Sequence, residues 1–399
     1  MPRNPNKIDY SGGFPFFFDA FSIIDDPRGS GPTRHYFGEI VFMAFTSILC
    51  GVSTYELMEE FCDANQQWFK QWLKLPNGTP SNDTFARVFE AIEPEQFSKC
   101  ILTHLHQVGV QIDQQQIAID GKSLRGSSNS EDKHIHAVSA WACDQGVTIA
   151  QTFTKAKSNE ITAIPELLKI LNIEGCVVTI DAMGTQTEIA KTIIEQGGDY
   201  VLSVKGNQKG LLDEIADHFN FVAKSYNRKK LNPNNWSLHR SEEVSRNREE
   251  QRFCLVCHNL EWMDKTIRSK WRELKSIIMI ERKTILEDNS TRRDVAFYIS
   301  SLESPASDIQ AYIRHHWQIE NSCHWVIDTA FREDANQVSR RNSAKNLSIL
   351  RRIAHNTLKK APEISRTKRA CCIIGSLNEN FKAKAAKLPM SVFYSPIYT

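Results

Sequence analysis

The chain has 399 residues, 41% hydrophobic and 24% charged, ordinary values for a soluble globular protein with room for two or three domains. Met1 to Tyr10 is polar and the longest apolar run, Ile40 to Cys50, is too short to span a bilayer. Neither a secretion signal nor a membrane span is therefore expected, and the chain reads as cytoplasmic with its ten scattered cysteines reduced. The formal net charge of +2 is unevenly spread: between Ser339 and Lys387, thirteen Lys or Arg face only Glu363 and Glu379. That stretch carries +11 and leaves −9 for the remainder. Such density suits a polyanion, with a solvated tail as the alternative.

Residues 1–112 read as a helical region. Apolar and aromatic residues recur at helical spacing over Ile40–Leu49 and Tyr55–Phe69. A turn-rich break, Pro76 to Pro80, precedes a helix that Ser81 or Asp83 can cap, with Phe85, Val88, Phe89 and Ile92 as its apolar face. Residues 113–204 change character. Gln116–Asp120, His136–Cys143 and Val147–Phe153 look like three strands; Ile161–Leu171 is helical and Cys176–Asp181 a β-branched strand. A helix over Thr187–Gln196 and a strand over Tyr200–Val204 follow. This succession predicts an α/β layered core in the order of an RNase H-like fold.

Residues 205–305 interrupt that core. A charged stretch, Arg228–Arg252, is followed by β-leaning runs at Arg252–Val256, Ser276–Ile285 and Asp294–Ile299, which together predict a β-rich insertion subdomain. Helical periodicity resumes over 306–362, with Pro362 as its stop, and 363–399 forms a basic C-terminal tail. Cys254 and Cys257, followed by His258, lack a second pair at zinc-site spacing and read as strand packing. His134 and His136 precede an apolar strand and read as packing more than as a metal pair.

Two carboxylates stand out. Asp120 and Asp181 each end an apolar strand, where a charge is expensive to bury unless a cation or hydrogen bonds meet it. A single such Asp is usually a turn or cap residue; two on one sheet can jointly hold Mg²⁺, which prefers carboxylate oxygens. In Arg314–Asp334, helical spacing places Glu320, His324 and Asp328 along one side, with Trp317 one turn before Glu320. A cleft wall or a solvated face fits that stripe equally.

Several motifs occur together and in order: Asp26-Pro-Arg28, Pro80-Ser-Asn-Asp-Thr-Phe-Ala-Arg-Val-Phe89, Asp120-Gly-Lys-Ser-Leu-Arg-Gly126 and Lys157-Ser-Asn-Glu-Ile-Thr-Ala-Ile-Pro165. Thr179-Ile-Asp-Ala-Met-Gly-Thr-Gln186, Gly198 to Gln208 and His316-Trp-Gln-Ile-Glu-Asn321 complete the set. With them the chain resembles bacterial insertion-sequence transposases of the ISAs1 family, the H-repeat-associated proteins among them, within the DDE group. The resemblance covers nearly the whole chain. It implies an RNase H-like catalytic core in which Asp120, Asp181 and Glu320 form the acidic triad and hold Mg²⁺, as two ions, with Mn²⁺ as a substitute. Ile313, His316 and Ile327 stand where the wider group carries Tyr, Arg and Lys around its Glu, which weakens transfer of a hairpin-forming mechanism.

The expected activity is metal-dependent cleavage of phosphodiester bonds at insertion-sequence ends and joining of the 3′-hydroxyl to target DNA. His324 and Asp328 are candidates for supporting the metal ligands. Lys122, Arg125, Lys205 and Asn207 follow strand ends, and phosphate contact and salt bridging account for them equally. The further DNA-contact candidates are Arg248 and Arg252 in the insertion, Arg314 and His316 near Glu320, and Arg340, Arg341, Arg351 and Arg352 in the basic segment. Double-stranded DNA is the expected partner, bound by a homodimer on paired ends at the nucleoid. A domesticated, non-cutting DNA binder and a nuclease without strand transfer are the competing readings.

Overall fold

The computed structural model describes residues 20–29, 31–107, 110–112, 114–127, 134–154, 160–225, 231–245, 248–360, 366–379 and 381–382. The first element is α1 (Phe37–Leu49), whose residues are buried apart from Gly38. A helix apolar on every side needs partners on every side. They include α2 (Tyr55–Ala64) and, through Phe42 against Phe69, the short α3 (Gln66–Phe69); α4 (Asn82–Ala91) and α5 (Pro94–Gln107) follow along the chain. Glu39 is 1% exposed within α1, and its Oε1 accepts from the backbone N–H groups of Lys74 and Leu75 at 2.8 and 3.4 Å. Ser81 occupies the N-cap position of α4, and Phe85, Val88, Phe89 and Ile92 are buried as the spacing predicts.

The α/β part is organised around one nine-stranded sheet in the order β3-β2-β1-β4-β5-β9-β8-β7-β6. Its strands are β1 (Gln116–Ser123), β2 (His136–Ala142), β3 (Val147–Thr154), β4 (Val177–Ile180) and β5 (Asp199–Val204). They continue with β6 (Trp236–Ser245), β7 (Arg248–Cys257), β8 (Ser276–Ile285) and β9 (Thr291–Ser300). Strands β1, β4 and β5 run parallel, and every other neighbouring pair is antiparallel. Between them lie α6 (Glu160–Lys169), α7 (Thr187–Glu195) and α8 (Lys209–Ser225).

The stretch 205–305 contains the β-leaning runs, but its strands extend the core sheet: Val201–Val204 of β5 pair with Phe297–Ser300 of β9. It also carries α8, whose Leu211, Ile215, Phe219 and Val222 are buried. Cys254 and Cys257, both on β7, are buried and belong to separate apolar clusters, as residues three apart on a strand face opposite ways. That agrees with packing rather than metal binding.

Helix α9 (Lys265–Arg268) lies within the β7–β8 connection, and after β9 come α10 (Ala306–His316), α11 (Trp325–Phe331), α12 (Ser343–Lys359) and α13 (Lys368–Leu377). Helix α12 packs on β3 and on α1, α4 and α5, so it joins the N-terminal helices to the sheet. Two of its asparagines hydrogen-bond to neighbouring backbone. Asn346 Nδ2 donates to the carbonyls of Phe89 and Ile92, both at 2.8 Å. Asn356 bridges the N–H and C=O of Thr148 at 3.0 and 2.7 Å. Arg351 and Arg352 are 2% and 0% exposed, which corrects their expected role in DNA contact: a phosphate cannot reach them. Helix α12 ends at Lys359; Pro362 and most of the tail lie outside the described residues. No helix among the described residues is long and apolar enough to cross a membrane.

Candidate active site

The parallel pairing of β1 and β4 sets Ile119 opposite Ile180, so Asp120 and Asp181 leave adjacent strands at the same level. Asp181 lies just past β4 and caps the short turn Ala182–Gly184, its Oδ1 accepting from the Met183 N–H at 3.0 Å. The loop is braced: Thr185 Oγ1 donates to the Ser203 carbonyl at 2.6 Å, and Asn207 Nδ2 to the Ala182 carbonyl at 2.6 Å. Asn207 therefore ties the loop after β5 to the loop after β4. Asp120, expected at a strand end, instead sits within β1, which continues through Ser123 against β2. Gly121 makes room beside it, since a Cβ there would overlap the His136 ring and the Glu160 carboxylate. Those two buried side chains lie against each other, and the Glu160 charge acts on Asp120.

Glu320 and His324 arrive from a π-helical segment, Ile319–His324, inserted between α10 and α11 where a continuous α-helix was expected. Wider turns of this kind recur at functional sites because they redirect side chains. One donor atom each from Asp120, Glu320 and His324 lies within 4.8 Å of the others. His324 Nδ1 is 3.5 Å from Asp120 Oδ2. Burial, with Glu320, Asp181 and Glu160 as nearby like charges, pushes the Asp120 carboxyl up to about 7. Burial lowers His324 to about 3, assisted by the positive charges of Arg352 and Lys122. Among the described residues, no Lys or Arg is ion-paired with Asp120, Asp181 or Glu320.

The nearest lysine is engaged elsewhere. Lys122 Nζ lies 2.7 Å from Asp328, 2.7 Å from Asp334 and 3.3 Å from Glu333, and its side chain is 10% exposed. Glu333 is buried and also meets Arg352 at 2.5 and 3.2 Å. Burial alone would raise the Glu333 carboxyl; Arg352 and Lys122 outweigh it and hold the group below the usual carboxylate range. Lys122 thus leaves the set of phosphate contacts, and Asp328 acts on Lys122 rather than on Glu320.

The remaining candidates divide by exposure. Arg125 is 80% exposed and 3.6 Å from Asp334. Exposed Lys205 lines a narrow cleft with Asp181, His316 and Trp317. A second cleft of about 520 Å³ beside Glu320 is lined by Arg252, Arg282, Arg314, Trp317 and Asn321. Arg252 and Arg314 share Glu243, at 3.1 and 2.5 Å. Arg340 and Arg341 are exposed, whereas His316 is buried with Nδ1 3.1 Å from Thr179 Oγ1. The Arg248 side chain lies outside the described ones. Sequence reasoning passed over Glu160 and Glu333 and read His136 as packing. Glu160 sits inside the Lys157–Pro165 motif, which was the available signal; residues 157–159 themselves lie outside the described structure.

This arrangement, with Asp120 within β1, Asp181 just past β4 and Glu320 on the π-helical turn, coincides with a family match. Residues 111–357 match the family described as "Transposase DDE domain", and residues 18–105 match "DDE_Tnp_1-associated". The chain belongs to the DDE transposase family, within its H repeat-associated group. It is 34% identical over 357 residues to "Putative transposase YncI" of Escherichia coli O157:H7, covering 87% of this chain and 88% of that one. It is 35% identical over 346 residues to "H repeat-associated putative transposase YhhI" of E. coli K12, covering 85% and 89%. A solved structure of a piggyBac transposase synaptic complex with hairpin DNA aligns at TM-score 0.40 and 9% identity, over 98% of this chain and 80% of that one. That likeness is too weak to bear on the site.

Proposed function

We propose that this protein is an active DNA transposase that binds insertion-sequence ends, cuts them by metal-dependent hydrolysis and transfers the 3′-hydroxyl to target DNA. The observation that carries the proposal is the clustering of Asp120 with Glu320 and His324, with Asp181 at the same level on the adjacent strand and no Lys or Arg ion-paired to the three acids among the described residues. Asp120 and Asp181 are half-buried and Glu320 is exposed, and like charges brought this close favour a cation between them. The order β3-β2-β1-β4-β5 with intervening helices supports an RNase H-like core, with 205–305 as its β-rich insertion.

Asp120, Asp181 and Glu320 would hold divalent cations, Mg²⁺ by preference and Mn²⁺ as a substitute. Such cations would supply Lewis-acid activation of a water or 3′-hydroxyl nucleophile and charge balance for the leaving oxygen. The chain's own part is positioning. The Asp181 loop is fixed through Thr185 and Asn207, the Asp120 strand through Lys122, and Glu320 by the π-helical turn. Arg125, Lys205, Arg252, Arg314, Arg340 and Arg341 are the remaining phosphate contacts. Trp317 and Trp325, 49% and 64% exposed on either side of Glu320, offer faces for base stacking. Double-stranded DNA, paired ends and a homodimer follow from this reading.

The test is Mg²⁺- or Mn²⁺-dependent cleavage and joining of the element's own end DNA by the full chain and by Asp181→Ala. Cutting and joining that vanish in the variant support the proposal. Cutting without joining turns the reading to a nuclease. End binding with no cleavage by either protein turns it to a DNA binder that has lost catalysis.

A further inference from the structure

We infer that His324 is a direct metal ligand, so that one cation position is built from Asp120, Glu320 and the His324 imidazole while the position toward Asp181 is all oxygen. The inference rests on the metal-dependent reading above and concerns which atoms hold the ion.

Three observations carry it. First, His324 Nδ1 faces Asp120 Oδ2 at 3.5 Å. That is beyond the usual range of an N–H···O hydrogen bond, so the pair is not explained by hydrogen bonding alone. It is close to the spacing of neighbouring donors around one divalent ion, roughly 3 Å for metal–ligand bonds of about 2.1 Å. Second, the Glu320 carboxylate shares the cluster, with all three donor atoms inside 4.8 Å. That approaches the span across a single coordination shell, about 4.2 Å from one ligand to the opposite one.

Third, the imidazole is placed by structure on several sides. His324 is 6% exposed and closes the π-helical segment that also presents Glu320. Its neighbour Cys323 is anchored to Thr148 Oγ1 at 3.4 Å on β3. Asp181, by contrast, spends Oδ1 on the Met183 N–H and lies outside this three-donor cluster. The two ends of the site are therefore chemically unequal. A nitrogen donor favours Mn²⁺ and later first-row ions over Mg²⁺ and Ca²⁺ at that position, while the oxygen position does not discriminate in this way.

The experiment uses the full-length protein with Mn²⁺ alone. Pulsed electron paramagnetic resonance reads whether a ¹⁴N nucleus is bonded to the bound ion. Wild type and His316→Gln are expected to show that coupling. His324→Gln should lose it while still binding Mn²⁺, with affinity weaker by roughly tenfold or more; His324→Asn replaces it if the glutamine variant does not fold. Mn²⁺ bound to wild type without ¹⁴N coupling overturns the inference and leaves the acidic triad standing. Coupling that persists in the His324 variants overturns it too. Failure of wild type to bind Mn²⁺ at all overturns both this inference and the metal-dependent reading.

Discussion

Lys122, two residues beyond Asp120, and Asp328, eight residues beyond Glu320, meet at 2.7 Å. This contact joins the strand that carries one candidate metal ligand to the helix following another. Lys122→Met would leave Asp328, Glu333 and Asp334 without their shared cation. Breaking a buried ion pair is costly, and because two of these acids are partly exposed the loss should be about 2–4 kcal/mol. Calorimetry should show a lower melting temperature. End cleavage should lose kcat with little change in the KM for DNA. An unchanged melting temperature would mean that the cluster is merely a surface network.

Asp120 gives a pH prediction. Its folded carboxyl sits at about 7 while an unfolded one titrates near 3.9, so the folded state holds the proton more tightly. The associated stability is complete below about pH 4 and is lost as pH rises through 7. In EDTA, Asp120→Asn should therefore be more stable than wild type at pH 8, by up to about 4 kcal/mol, with the gap shrinking toward pH 5. Mg²⁺ at pH 8 should narrow or reverse the order by stabilising only wild type. Equal melting temperatures at pH 8 without metal would contradict the placement of the carboxylates.

Glu333 has the opposite sign. Its folded carboxyl lies below the ordinary range, so its contribution is present above an unfolded value near 4.3 and is lost as pH falls toward the folded one. Glu333→Gln should be strongly destabilised at pH 7, because Arg352 and Lys122 lose their common partner. The difference from wild type should stay flat above about pH 5 and diminish in acid. A difference that grows in acid would be inconsistent with this network.

The basic C-terminal segment divides into two classes. Arg340→Ala and Arg341→Ala, at exposed positions, should weaken DNA binding and reduce its salt dependence while leaving melting temperature nearly unchanged. Arg352→Ala, at a buried position, should unfold the protein at lower temperature before any effect on DNA is measurable. Titrations at several salt concentrations alongside thermal melts separate the two classes. A stable Arg352→Ala protein with weakened DNA binding would reverse the assignment.

Much of the strand pattern was legible because β1, β4 and β8 are written in continuous or β-branched apolar runs. Strand β6 escaped because it is an edge strand, and edge strands carry polar side chains: Leu238 and Val244 are 46% and 79% exposed among Ser, His, Arg and Glu. Helix α8 has a readable spacing at Leu211, Ile215, Phe219 and Val222, overlooked inside a stretch taken as β. In the site, the carboxylates could be found from their positions after apolar runs. The duties of Lys122, Arg351 and Arg352 could not, because Glu333 lies far from Lys122 along the chain and nothing local marks an Arg as buried. The π-helical turn was hidden for a related reason: Glu320 and His324 are four apart, so ordinary helical spacing already suggested a shared side.

Helix α12 has a consequence for synthesis. Emerging from the ribosome, residues 37–107 are complete long before the helix that covers them, and β3 waits for the same partner. The apolar faces of α1, α4 and α5 thus stay uncovered until translation passes about residue 358. A frameshift or early stop upstream of that point yields more than a polypeptide without a tail. It yields one with its interior exposed, an aggregation and proteolysis substrate, so a gene copy damaged near its 3′ end should be silenced at the level of protein survival.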